Sequence, residues 1–386
     1  MLKLSVIKKL RAYLRSIKEY RSIKEEINKS FYLSQKKIQN IYCPLSIVKQ
    51  NDKQVGFSEK LIKRLRNILS NEIVVSGHWT DMYNLGDKES IFQRLLDSND
   101  EEFYEIVSNP QNNNLHFGFG DICEEVINNH RLGDFYINKR IYDTIYRISC
   151  SLGIENFPET YHFLKFNFKS ADEMLEKIFQ NMNIKTDFPN IFKGEFGLKT
   201  KYGLVSFAPI QQMYHATRIL DLKKNYNIHK VMEIGAGLGL SAYHSRNFGI
   251  KDYTILDLSL GNLSQSFFFA STIGEENILI NDEVLDKNNN SKDKIKLISS
   301  TRLDLVPEKL DLVLNCDSIT EMSKDQALKY VNFVSKKTKY FLSINHDNNK
   351  FKIEEIFKDS VFKRVYRMPS WYRRGYIEEL YINTSF

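Results

Sequence analysis

Residues 229–261, HKVMEIGAGLGLSAYHSRNFGIKDYTILDLSLG, constrain what this chain can fold into more than any other stretch. The apolar run Val231 to Ile234 reads as a strand, and it enters the turn Gly235-Ala236-Gly237-Leu238-Gly239. A helix follows, then a second strand, Tyr253 to Leu256, ending on Asp257. Strand, glycine turn, helix, strand and acid, in that order, describe a nucleotide-type site at the carboxyl edge of a parallel sheet. The spacing is E-x-G-x-G-x-G. A dinucleotide fingerprint starting at Gly235 needs its third glycine at position 240, where Leu240 stands; the third glycine comes one residue early, at Gly239.

The acids narrow the ligand. Glu233 lies two residues before the first glycine, where an anion would repel a pyrophosphate on the turn and suit an ammonium group. Asp257, 22 residues after Gly235, ends the second strand, where a carboxylate accepts hydrogen bonds from ribose hydroxyls. S-adenosylmethionine has an ammonium group and no phosphate, and is the expected cofactor. A glycine turn without a ligand and a nicotinamide or flavin site are the weaker readings.

Around this unit the pattern is regular. Pro209 to Leu222 reads as a helix carrying Gln211, Tyr214, His215 and Arg218, and residues 260–273 as a helix with Gln265 and Phe267-Phe268-Phe269. Strands are expected at 295–298, 310–315 and 339–344, a helix at 324–337, and two strand-like runs around Arg373-Arg374-Gly375, the last of them (Tyr376 to Ile382) antiparallel. Alternating strands and helices argue an α/β, doubly wound Rossmann-like sheet. The 386 residues suggest more than one domain: a basic helix over 1–29, a mainly helical acceptor-binding or lid domain over 30–204, and the sheet domain over 205–386. Helical patterns at 58–71, 88–97, 100–108 and 137–152 support the middle assignment, and the His78-Trp79 pair with Asp81 is a candidate pocket wall or, more simply, core.

In a doubly wound sheet the ligand lies across the carboxyl ends of the strands, so the turns there hold the candidate chemistry. Glu233, Gly235, Ala236, Gly237, Gly239, Asp257, Leu258, Ser300, Thr301 and Asn315 are the expected cofactor contacts. Tyr214, Arg218, Ser318 and Asn345 are the expected acceptor contacts. Methyl transfer to a hydroxyl requires alignment and removal of one proton. His346 is the natural base because its ordinary pKa, about 6.5, lies near working pH. Asp317 is expected to orient the histidine, hold an acceptor hydroxyl or act as base itself, and Glu321 is a further candidate. Asp317 and Asp347 would alternatively suit Mg²⁺, which prefers carboxylate oxygens; base is the preferred reading, and no dedicated metal site is expected.

The segments MEIGAGLGLSAYHSRNF, YTILDLSLGNLSQSFFFA, NCDSITEM and FLSINHD together resemble the sugar O-methyltransferase family of bacterial surface-glycan gene clusters. The matching features are the E-I-G-x-G-x-G turn (Glu233 to Gly239), Asp257-Leu258 with Gln265 on an aromatic helix, Asn315/Ser318/Glu321/Met322, and Ser343/Asn345, within roughly 205–350. The family's usual turn is E-I-G-G-G-x-G, so Ala236 replaces a glycine. The resemblance implies S-adenosylmethionine and a sugar, nucleotide-sugar or glycan acceptor of capsule or lipopolysaccharide synthesis. The rival readings are a methyltransferase for another small acceptor and a non-catalytic binding protein on the same fold.

Charge distribution bears on partners. Residues 1–29 carry nine Lys/Arg and three acids, net +6 of the chain's +7, so the remainder is close to neutral. With no N-P-P-Y block and no basic body, a nucleic-acid substrate is not expected. The four cysteines lack C-x-x-C spacing and fit a reducing cytoplasm. The chain shows no secretory signal and no apolar run long enough to span a membrane. Val6, Leu10, Leu14, Ile17, Ile23 and Ile27 recur at mostly helical steps among the basic residues, the pattern of a helix lying on an anionic membrane surface or packed on its own protein. Each basic residue at such a surface contributes on the order of 1 kcal/mol, screened by salt. Deletion of 1–29 is therefore expected to abolish flotation with anionic liposomes while leaving a folded protein; flotation equal to the full chain would remove the helix as anchor.

Overall fold

The computed structural model describes residues 45–47, 58–69, 88–110, 113, 115, 133–156, 170–192, 195–286, 288–289 and 291–386. The 1–29 segment, His78, Trp79 and Asp81 lie outside them. Strand β1 (Leu45–Ile47) precedes helices α1 (Glu59–Leu69), α2 (Lys88–Asp97), α3 (Asp100–Ser108), α4 (Gly133–Ser151) and α5 (Ala171–Met182). Local signals set several of their ends. Asn99 accepts from the Glu102 amide at the start of α3, and Ser170 forms a reciprocal capping box with Glu173 on α5. Asn183, at φ 52°, ends α5 in the left-handed conformation that asparagine tolerates.

A hairpin, β2 (Phe196–Thr200) and β3 (Gly203–Val205), pairs with β1 in a small antiparallel sheet. It leads into α6 (Phe207–Tyr226), β4 (Lys230–Ile234), α7 (Leu240–Asn247), β5 (Asp252–Asp257), α8 (Ser259–Ile273), β6 (Ile278–Ile280), β7 (Ile295–Ser299) and β8 (Leu310–Cys316). Helix α9 (Lys324–Val334), β9 (Thr338–His346), α10 (Ile353–Phe357), β10 (Phe362–Pro369) and β11 (Tyr376–Asn383) complete the chain.

Eight strands form one sheet in the order β10-β11-β9-β8-β4-β5-β7-β6. The run from β9 to β6 is parallel, and β11 is inserted antiparallel between β9 and β10. The order reverses at β4, between β5 and β8, which is the switch point where doubly wound sheets bind ligands. Apolar residues alternate between the two faces. Val231, Ile255, Leu297, Leu312 and Leu342 join one core with α6 to α8 and the N-terminal helices, and Met232, Leu256, Ile298, Val313 and Phe341 join the other with α9 and α10.

The sheet is the α/β doubly wound architecture expected, including its antiparallel last strand. Periodicity missed the short edge strand β6 and the small sheet, whose three- and five-residue strands are too brief to show a repeat. The expected division at 204/205 falls inside β3. One core runs from Leu61 of α1 to Leu380 of β11, and Arg64 of α1 grips the sheet region through the Glu283 carboxylate at 2.7 Å and the Ile278 carbonyl at 2.9 Å.

Helix α6 buries polar side chains as well as apolar ones, and two of them join an acid on β11. Arg218 Nε donates to both carboxylate oxygens of Glu378 at 2.9 and 3.1 Å, Nη2 donates again at 2.8 Å, and Nη1 reaches Asp221 at 2.6 Å. The hydroxyls of Tyr214 and Tyr366 donate to the same carboxylate at 3.4 and 2.7 Å. Tyr214 and Arg218, expected to touch an acceptor, thus clamp α6 to the sheet, because Glu378 is fully buried and needs their hydrogen bonds. Glu378→Ala is expected to cost about 3 kcal/mol, since it leaves the guanidinium only Asp221 and takes the acceptor from the Tyr214 and Tyr366 hydroxyls; the denaturation midpoint in urea measures it, and an unchanged midpoint would refute the clamp.

Candidate functional site

The glycine turn joins β4 to α7. Gly235, Gly237 and Gly239 have φ of 71°, 58° and 84°, a region that side chains with a Cβ rarely adopt. Two of them also meet neighbours. A Cβ on Gly235 would lie 2.5 Å from the Ser318 side chain, and one on Gly239 would lie 2.9 Å from the Phe269 ring. The first glycine therefore lets the turn after β8 approach, and the third lets α8 pack.

Asp257 organises this turn. Its Oδ2 accepts from the Ala236 amide at 2.9 Å and from Gln265 Nε2 at 2.7 Å, and its Oδ1 accepts from the Leu258 amide at 2.8 Å. Gln265 Nε2 also donates to the Gly237 carbonyl at 2.7 Å. Burial raises the Asp257 pKa to about 6, and the Leu258, Gln265, Ala236 and Gly237 hydrogen bonds oppose that rise. Gly235 N–H donates to the Leu256 carbonyl and Gly239 N–H to the Ala236 carbonyl. The Ala236 and Gly237 amides are thus spent on the Asp257 carboxylate, and the Gly235 and Gly239 amides on backbone carbonyls. Leu258 caps α8, its carbonyl accepting from Asn262. Ser300 and Thr301, both half-buried, follow β7 beside Asp257; the Ser300 amide donates to the Asp257 carbonyl at 2.7 Å.

Glu233 lies beneath the turn rather than open to it. It is 2% exposed and accepts from the Tyr253 hydroxyl at 2.9 Å. Burial pushes its pKa up to about 8, against the Tyr253 and Ser241 hydroxyls that hold it down. At that value the carboxyl keeps its proton at pH 7, and the neighbours acting on it, Tyr253, Ser241 and Asp257, include no cation.

The turns after β8 and β9 divide their polar residues between scaffold and site. Asn315 Nδ2 donates to the Ile234 carbonyl at 3.0 Å, and Ser318 Oγ donates to the same carbonyl at 2.8 Å. Asn345 Nδ2 donates to Asn315 Oδ1 at 2.9 Å and to Ser343 Oγ at 2.8 Å. Asn315, Ser318 and Asn345 are buried and tie β4, β8 and β9 together. They do not line an open surface as expected, because strand ends buried side by side must pair their polar groups with each other.

Asp317, Glu321 and three residues of the 370–376 segment form a second group. Asp317 has φ 50°, and Arg373 Nη1 donates to its Oδ2 at 3.4 Å. The Arg373 guanidinium stands 4.3 Å over the Tyr376 ring, whose hydroxyl donates to Asp317. Burial and the Asp317 charge raise the Glu321 pKa to about 7, and Arg373 opposes them. A carboxyl poised there can take a proton at neutral pH. The sequence offers Arg373 only as part of the break between two strands and Tyr376 only as the start of the last strand, and singles out Tyr372 for nothing. The signal was available: a turn leading into an antiparallel last strand lies at the carboxyl edge of its parallel neighbours.

His346 does not carry the base role expected of it. Its Nδ1 accepts from the Asn348 amide at 3.1 Å, so in the neutral ring Nε2 holds the proton, and the ring edge packs on Tyr376 at 5.2 Å. Its free lone pair is already used. Asp317 and Asp347 answer different arginines, Arg373 and Arg367, and among the described residues no group of three or more His, Cys, Asp or Glu is arranged to hold a metal ion. The Mg²⁺ alternative therefore finds no support in the geometry.

No protein-family profile and no curated protein matches the chain. Similar solved structures include an S-adenosylmethionine-dependent methyltransferase from Clostridium acetobutylicum, 12% identical over 46% of this chain and 92% of its own, TM-score 0.34. They also include the mitomycin 7-O-methyltransferase, 11% identical over 45% and 54%, TM-score 0.34. A magnesium protoporphyrin IX methyltransferase from Synechocystis is 10% identical over 46% and 85%, TM-score 0.32. The fold assignment rests on the strand order itself, and among the described residues no helix is long and apolar enough to cross a membrane.

The buried Glu233 gives a pH test. Its folded pKa of about 8 exceeds the ordinary 4.5. The folded protein keeps a proton that the unfolded chain has lost, so this stabilising contribution is full below pH 4.5 and is lost as pH rises to about 8. Glu233→Gln, always neutral, is expected to gain in thermal midpoint relative to the parent protein between pH 5 and 8; parallel curves would show that the carboxyl is ionised in the fold.

Proposed function

We propose that this protein is an S-adenosylmethionine-dependent O-methyltransferase that methylates a sugar hydroxyl in surface-glycan synthesis. The observation that carries the transferase reading is the Asp257 carboxylate seated on the Ala236 and Leu258 amides at 2.9 and 2.8 Å. It places an acid at the end of β5, at the switch point, the position from which a carboxylate meets ribose hydroxyls. The sugar acceptor rests on the likeness of the quoted motifs to the sugar O-methyltransferases.

When bound, the cofactor supplies a methyl group already activated by a sulfonium. Gly235, Ala236, Gly237 and Gly239 would hold it with Asp257, Leu258, Ser300 and Thr301. Asn315, Ser318 and Asn345 would keep the turns in register beneath. Glu321 would take the acceptor's hydroxyl proton onto its carboxylate, with Asp317 holding that hydroxyl or its neighbour and Arg373 fixing Asp317. This assignment replaces His346, whose Nδ1 is engaged by Asn348. The basic segment 1–29 would bring the enzyme to an anionic membrane face.

Calorimetry is expected to detect binding of S-adenosylmethionine and none of NAD; the reverse would sink the transferase reading, and cofactor binding without turnover on a sugar-nucleotide and glycan panel would favour a non-catalytic binding protein. Glu321→Gln is expected to lower kcat by about 10²–10⁴-fold, the scale of a general base, with cofactor affinity retained. Because the base must be deprotonated, the parent rate should rise with pH through about 7 and the variant should lose that limb. A rise that survives the substitution would move the base elsewhere.

A further inference from the structure

Arg140 of α4 and Arg373 of the turn before β11 share one aromatic ring. The Arg140 guanidinium lies 3.6 Å from the centroid of Phe207, the first residue of α6, and the Arg373 guanidinium lies 5.9 Å from the same centroid. The shorter distance is van der Waals contact, so the Arg140 plane rests on the ring face. Arg373 is stacked a second time, 4.3 Å over Tyr376, and gives Nη1 to Asp317 at 3.4 Å. The Phe207 ring beneath is buried, whereas both arginines are half-buried and keep part of their surface in water. Stacking engages the face of a guanidinium and none of its five N–H donors, which lie in its plane. The rings thus fix the direction of two N–H edges. As a staple between α4, α6 and the last turn, one cation on Phe207 would serve, and two of like sign repel each other across it. An anion at the edge of the ring reverses the sign of that interaction.

We propose that Arg140 and Arg373 form an anion subsite at the edge of Phe207, which holds an acid group of the acceptor, a carboxylate or a phosphate ester. That the ligand is the acceptor rests on the transferase reading; that it is an anion goes beyond it. Arg373 acts on both Asp317 and Glu321, so the subsite adjoins the proposed proton acceptor. The two kinds of acid share one chemistry, planar or tripod oxygens that a guanidinium fork grips through two parallel N–H bonds. Guanidiniums already held by rings lose little freedom on gripping them. The nearest carboxylate does not stand unanswered against such a ligand, since Asp317 takes hydrogen bonds from Arg373 and from the Tyr376 hydroxyl. In this arrangement the acid group is the handle for recognition and a neighbouring hydroxyl is the group that meets Glu321. An uncharged acceptor lacks the handle.

The test is calorimetry on the full chain loaded with S-adenosylhomocysteine, with inorganic phosphate, glucuronate and, as the uncharged control, methyl glucoside. Phosphate or glucuronate is expected to bind more tightly than the glucoside, and the tighter of the two assigns the acid group as phosphate ester or carboxylate. Arg140→Gln is expected to weaken that binding about tenfold, the scale of one lost charge-assisted hydrogen bond, with unchanged S-adenosylhomocysteine affinity. Arg140→Lys keeps a cation over Phe207 and loses the fork, so it tests the same contact with the packing retained, and is expected to bind the anion severalfold more weakly than the parent. A staple alone would lower the thermal midpoint of Arg140→Gln and leave anion affinity untouched. Equal anion affinity in both variants, which would place the anion elsewhere, for instance on the basic residues 1–29, would overturn the subsite and leave the transferase reading standing. So would glucoside binding as tight as that of the anions, or no anion binding at all. Failure to bind S-adenosylhomocysteine, with phosphate binding still weakened in Arg140→Gln, would overturn the transferase reading and leave the anion site.

Discussion

The Asp257 carboxylate is the interaction on which the proposed site depends. It sits at the end of β5 and takes hydrogen bonds from the turn that ends β4 and from Gln265, two turns into α8. One side chain thus joins two strands, a turn and a helix at the point where the sheet order reverses. A glycine turn alone has many accessible shapes, because glycine is free in φ. With its amides directed onto a fixed carboxylate and the Gly237 carbonyl held by Gln265, the turn has one shape. Four of the turn's amides, those of Gly235, Ala236, Gly237 and Gly239, are thereby committed within the chain.

Around that point the protein buries many polar groups and pairs most of them. Asn315, Ser318, Ser343 and Asn345 stitch the carboxyl ends of adjacent strands, and Arg218 with two tyrosines satisfies Glu378 under α6. Paired in this way, such groups define which strand end lies against which, since an alternative register would strand several of them without partners.

The antiparallel β11 has a consequence beyond closing the sheet. Running against β9, it brings Tyr376 opposite His346, and so carries the preceding Tyr372 and Arg373 to the carboxyl edge. The last fifty or so residues therefore contribute to the same edge as the glycine turn. The N-terminal helices reach it too: Arg140 of α4 stacks on Phe207 at 3.6 Å, and Arg373 approaches the same ring at 5.9 Å.

By itself the sequence determined the class of fold, the positions of most helices and long strands, and the glycine turn with Asp257. These are legible because they are local: side chains alternate along a strand, recur every three to four residues along a helix, and glycines mark backbone that other residues avoid. It could not tell which polar residues at the strand ends are open and which are spent. Arg218 looked available until Glu378, 160 positions away, proved to hold it. Asn315 and Asn345 looked like ligand contacts until each proved to be the other's partner. His346 had the right ordinary pKa, and a neighbouring amide took its lone pair. Glu321 acquired its raised pKa from burial beside Asp317, and Arg373 entered the site through strand direction. Hydrogen-bond partnership and desolvation depend on what the fold brings near, and that is set by tertiary structure.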